Sequence, residues 1–165
     1  LHLIHQGIMK ITLFFCAGAF AETLGVKTVS GLNGAGVRMP WASAAFSVAA
    51  LGMIGVPPTA GFVTKWFLGT GALAAESGWV VAVLLASSAL NAAYFLPILG
   101  RLWFATPPES PGRAPRLSTA LMVGPPVLTA LLVVAAALLA TAVFSPLGWV
   151  QDLALLEFGF GAVSQ

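Results

Sequence analysis

Four polar residues near one end of this 165-residue chain, His2, His5, Gln6 and Lys10, interrupt the apolar run LHLIHQGIMKITLFFCAGAF. A second cation, Lys65, stands in the stretch GVPPTAGFVTKW at residues 55–66. On a helix turning about 100° per residue, His2, His5, Gln6 and Lys10 fall within an arc of about 140°, and Cys16 shares that side. Gln6 and Lys10 are four apart and so are direct neighbours. His5 and Lys10 are separated by about 7.5 Å along the axis, a gap that one or two waters would bridge. An imidazole gains and loses a proton near neutral pH. An ammonium group withdrawn from water gives up its proton more readily. Together these groups have the chemistry of a proton relay. The sequence holds no paired carboxylates and no nucleophile beside a base. Its glycine-rich GLNGAG at 31–36 follows no strand of a nucleotide-binding fold. A single cysteine, Cys16, rules out a disulfide framework and a multi-cysteine metal site; no metal site is expected, and a transport role would need no cofactor.

The elements that must position these residues follow from composition. Charged residues make up 7% of the chain and hydrophobic ones 59%, where soluble domains carry about 25% charge. So little charge cannot solvate the surface of a soluble domain. The apolar runs are long enough for helices that cross a bilayer, about 20 residues each. The alternation of a barrel strand is missing. The expectation is an all-α integral membrane fold of about five helices, multi-pass in the cell's inner (plasma) membrane. The segments fall at about 1–20, 41–56, 59–75, 79–103 and 119–144. The first 144 residues form the transmembrane part, and 145–165 an interfacial or flexible tail. The chain opens within an apolar run and without Met, as expected of the C-terminal piece of a larger protein. Five crossings would put the loop holding Lys27 and Arg38 and the loop holding Arg101, Arg113 and Arg116 on opposite sides. A net charge of +2 with no basic tract gives no reason to expect nucleic acid as a partner.

Lys10 and Lys65 are the only formal charges well inside these segments. A charge at mid-bilayer costs about 2.5–3.5 kcal/mol on insertion scales, and such residues mark ion or proton paths. For Lys10 the competing reading is a packing pair with a carboxylate elsewhere. For His2 it is an interfacial position, and for His5 a plain hydrogen bond between helices. Lys65 has a different setting. Pro57 and Pro58 stop the preceding helix. Gly61, Lys65 and Gly69 recur every four residues, clearing space beside the lysine, and Gly69 and Gly71 weaken the helix beyond it. Pro57, Pro58, Gly61, Gly69 and Gly71 are therefore expected to break the helix, and broken helices at membrane depth line cavities and ion sites. Close packing at the glycines and a snorkelling Lys65 are the alternatives. Ser87, Ser88, Asn91 and Tyr94 read as hydrogen-bonding groups between helices. Trp41, Trp66, Trp79, Trp103 and Trp149 read as interface anchors.

Three stretches in order, HQGIMKITLFFCAGA, LNGAGVRMPWASAAFSVAALGMIGVPPTAGFVTKW and LNAAYFLPILGRLWF, resemble the proton-conducting, antiporter-like membrane subunits. These occur in respiratory complex I, in membrane-bound hydrogenases and in multi-subunit Mrp-type cation/proton antiporters, and the D-type component of the Mrp antiporters is the nearest likeness. The resemblance covers roughly residues 1–104. It implies a fourteen-helix fold, of which these would be the last five helices, from the second of two inverted repeats with one helix broken. It implies that Lys10 is the central-axis lysine and that Lys65 is the ionisable residue on the broken helix. Many members have a histidine four residues before the central lysine. Here Gln6 takes that place, and His5 lies one position earlier. Lysine at 65 argues against the complex I subunit type with an acid there. The function implied is proton translocation within a multi-subunit cation/proton antiporter, with protons and sodium exchanged. The alternative is a membrane-arm subunit of NADH–quinone oxidoreductase or of a hydrogenase. In either case this is a transport subunit without a catalytic site of its own, partnered by other membrane subunits and the lipid bilayer.

Overall fold

The structure is a computed structural model that describes residues 2–107 and 116–138. Every regular element among them is helical: α1 (His2–Leu24), a 3₁₀ turn (Val29–Leu32), α2 (Ala35–Arg38), α3 (Pro40–Ile54), α4 (Ala60–Ala74), α5 (Gly78–Phe104) and α6 (Arg116–Leu138). Five long helices thus form where five apolar segments were expected. α1, α5 and the 121–138 stretch of α6 are long and apolar enough to cross a membrane, and α3 is a shorter apolar helix. The tail at 145–165, with Trp149, lies outside the described residues.

Local chemistry sets the boundaries. Pro40 occupies the first turn of α3, where its missing N–H costs nothing. Gly55, at φ +92°, ends α3 in the left-handed conformation. The Gly55 and Val56 N–H groups both donate to the Leu51 carbonyl, at 2.9 and 3.0 Å, a glycine-based C-terminal cap. Pro57–Pro58 follows, with a cis peptide bond. α4 stays helical through Gly69 and Gly71.

The core is built along α3. α1 buries the stripe His5, Met9, Thr12, Cys16, Ala19 and Phe20. Rings from three helices meet in sequence, Phe20 to Phe46 at 6.3 Å and Phe46 to Phe95 at 6.3 Å, separations within the favourable range for aromatic pairs.

The direction of α4 differs from the expectation. Along α1, Cys16 meets Ala42 of α3, Met9 meets Gly52, and His2 meets Thr64 of α4. Along α5, Trp103 meets Ser47, Asn91 meets Met53, and Ser88 meets Lys65. Both sequences of contacts run one way, so α4 continues in the sense of α3 after the proline turn. Each 15-residue helix is about 22 Å long, short of a bilayer core of about 30 Å. Together they form one interrupted crossing. The loops 25–39 and 105–107 therefore lie at the same end, not at opposite ends. The Gly34 N–H donates to the Arg101 carbonyl at 3.0 Å, and Gly36 packs against Trp103.

Candidate functional site

The interruption leaves carbonyls of α3 without a helical partner. Gly55 and Val56 satisfy Leu51. Met53 and Ile54 are satisfied by Lys65, whose Nζ donates to both carbonyl oxygens at 3.0 Å. The third Nζ donor goes to the Ser88 Oγ of α5 at 2.7 Å. An ammonium has three donors, and all three are used. A cation at a helix C-terminus also meets the negative end of the helix dipole. Asn91, one turn further along α5, donates its Nδ2 to the Met53 carbonyl at 3.3 Å, so Lys65 and Asn91 share that oxygen.

Two glycines make room for this arrangement. A Cβ on Gly61 would collide with the Gly52 carbonyl oxygen, so the start of α4 lies directly on the end of α3. A Cβ on Gly55 would stand 3.0 Å from Lys65 Cδ, where the lysine stem passes. Gly69 and Gly71 have nothing within 4 Å of where a Cβ would be.

A second polar chain joins α1 to α4 one residue away. Thr64 Oγ1 donates within its own helix to the Ala60 and Gly61 carbonyls, at 3.2 and 3.1 Å. His2 Nδ1 lies 3.0 Å from the same oxygen. The threonine proton is already committed, so His2 Nδ1–H is the donor there. His2 Nε2 is then the acceptor for the Gln6 amide at 3.4 Å. His5 is buried, only 5% exposed. Its Nδ1 has no hydrogen-bond partner among the described residues. Lys10 follows Met9 of the buried stripe by about 100° of turn, and it is exposed on the outer side of α1.

The structure thus brings together His2, Gln6 and Lys65 through Thr64 and the broken crossing, with His5 close by. Lys10 lies one turn beyond Gln6, about 40° around α1 from it, and is exposed. Ser88 and Asn91, read from sequence only as groups linking helices, are the direct partners of the Lys65 site. Thr64 and the Met53 and Ile54 carbonyls were not singled out. The signal for Thr64 was its position next to Lys65. The carbonyls had none, because backbone exposed by a break leaves no mark in residue type. Ser87 and Tyr94 are exposed.

Known proteins share much of this chain. The family described as NADH:quinone oxidoreductase/Mrp antiporter, TM matches residues 1–91. The chain is 41% identical over 116 residues to NADH-quinone oxidoreductase subunit N of Desulforudis audaxviator, covering 70% of this chain and 23% of that protein. It is 37% identical over 108 residues to subunit N 1 of Sorangium cellulosum, covering 65% and 21%. It is 32% identical over 128 residues to subunit N 1 of Solibacter usitatus, covering 78% and 25%. The match spans about a quarter of the length of these relatives. No solved structure matches.

Proposed function

The chain belongs to the NADH:quinone oxidoreductase/Mrp antiporter membrane family, and from that premise we propose that it handles protons as part of a membrane-arm subunit of an NADH–quinone oxidoreductase. Of the two functions that the sequence implied, the relatives support the redox-linked one over cation/proton exchange, since those named above are subunit N proteins. In this reading electron transfer occurs elsewhere in the complex, and these helices hold neither a cofactor nor a redox centre. The partners are the other membrane subunits, the lipid bilayer and the proton itself.

The observation that carries the proposal is the position of Lys65. Its ammonium sits inside an interrupted membrane crossing, held by two backbone carbonyls and a hydroxyl. A structural plug at that depth would be served as well by an apolar side chain, without the cost of an intramembrane charge. A group that must load and release a proton needs polar partners that stabilise the loaded state. His2, Gln6 and His5 supply further exchangeable protons beside it on α1. Lys10, facing outward from the bundle, extends the relay toward the remainder of the parent protein.

The test uses the full-length parent within its complex, in sealed vesicles. Proton translocation per NADH oxidised is compared for the wild type and Lys65→Ala, with assembly checked on the same membranes. Assembly retained with translocation collapsed is the expected result. Assembly and translocation both retained would make Lys65 a packing residue and remove the proposal.

A further inference from the structure

We propose that the Ser88 hydroxyl is the group through which a proton leaves and reaches Lys65, which makes Ser88 of α5 a member of the relay; this rests on the proton-handling role of Lys65. The ammonium has three partners, and two of them, the Met53 and Ile54 carbonyls at 3.0 Å, accept hydrogen bonds but have no proton to pass on. The third, Ser88 Oγ, lies closest at 2.7 Å, and it alone both accepts and donates. In the transfer, the Lys65 N–H bond breaks as a new O–H bond forms on Ser88. The hydroxyl's original O–H bond breaks, and that proton passes to a water molecule on the far side. Lys65 is left neutral, the serine is again a hydroxyl, and the water carries the charge as hydronium. Loading runs the same steps in reverse. Ser88 is half-buried, and the scheme requires a water on the side of its oxygen away from the lysine.

Asn91 fits the same scheme as a positioning residue. Once Lys65 is neutral, its hold on the Met53 carbonyl weakens. The Asn91 amide, already 3.3 Å from that oxygen, keeps the carbonyl from being orphaned. The end of α3 therefore stays satisfied in both charge states, and the break does not have to rearrange with each proton.

The test compares Ser88→Thr with Ser88→Val in the assembled complex of the full-length parent. The two side chains have nearly the same shape and differ in the hydroxyl. Threonine is expected to keep translocation near the wild-type rate, and valine to lower it about tenfold, the effect of losing one hydrogen bond to a charged group. The solvent isotope effect of heavy water on translocation should rise in Ser88→Val and stay at the wild-type value in Ser88→Thr, which a packing role would not produce. Equal rates and equal isotope effects in the two variants overturn the inference, whether both are fast or both slow. If Lys65→Ala abolishes translocation while Ser88→Val matches Ser88→Thr, the role of Ser88 alone fails. If Lys65→Ala leaves translocation intact, the role of Lys65 fails, and that of Ser88 with it.

Discussion

Replacing Gly61 and Gly69 by alanine, one at a time, separates two uses of glycine that look alike in the sequence. Both lie four residues from Lys65, but only Gly61 touches α3. A methyl group there meets the Gly52 carbonyl oxygen, which belongs to the backbone and cannot rotate away. α4 must retreat by about an ångström to restore an ordinary contact, and overpacking of this kind costs about 1–3 kcal/mol. The same retreat stretches the two 3.0 Å bonds from Lys65 Nζ to Met53 and Ile54 beyond hydrogen-bonding range. At Gly69 the methyl enters open space. Gly69 lies in the interior of α4 and gains helix propensity, up to about 1 kcal/mol, whereas Gly61 lies in the first turn and gains less. With the clash added, Gly61→Ala should be less stable than Gly69→Ala by at least about 1–3 kcal/mol. The assay is thermal unfolding of the assembled complex together with proton translocation in vesicles. Translocation should fall at least about tenfold in Gly61→Ala, as expected from losing about 1.4 kcal/mol of interaction at Lys65 in its proposed role, and stay near wild type in Gly69→Ala. A Gly61→Ala complex as stable and as active as Gly69→Ala would refute the close approach of α4 to α3 and the tethering of Lys65 that depends on it.

Two further outcomes follow from the same contacts. Thr64→Val keeps the shape of the side chain but removes the acceptor for His2 Nδ1–H, at a cost of about 1 kcal/mol; translocation should fall several-fold and recover in Thr64→Ser, and no change in Thr64→Val would take His2 out of the proposed relay. Lys27, Arg38 and Arg101 share one end of the bundle, while the connection between α4 and α5 at the other end carries Glu76 and no lysine or arginine, so the positive-inside rule predicts that the basic end faces the cytoplasm; a membrane-impermeant thiol reagent should label Lys27→Cys only from the cytoplasmic side and Glu76→Cys only from the other, and labelling of both from one side would refute the direction of α4.

What was legible in the sequence, and what was not, divides along a physical line. The five helices were readable because apolar length is a property of each segment alone, and a bilayer admits few other structures for it. The stop at Pro57–Pro58 was readable for the same reason, since proline and glycine act on their own backbone. The direction in which the chain leaves that stop was not. A proline turn can reverse a helix or continue it, and the choice rests on contacts between residues distant in sequence: Gly61 on Gly52, Thr64 on His2, Lys65 on Ser88. An error at that one turn inverted the side assigned to the loop after α5. The site divides in the same way. A lysine in an apolar run announces itself by its cost, so Lys65 was found. Its partners are two backbone oxygens and a serine, groups that are tolerated anywhere in a membrane helix and carry no such signal. The same reasoning explains Lys10. Its cost is as evident as that of Lys65, yet no hydrogen bond pairs it with the other candidate residues on its own helix, and it faces outward. A charge exposed on a membrane-crossing helix is costly unless a polar surface lies against it.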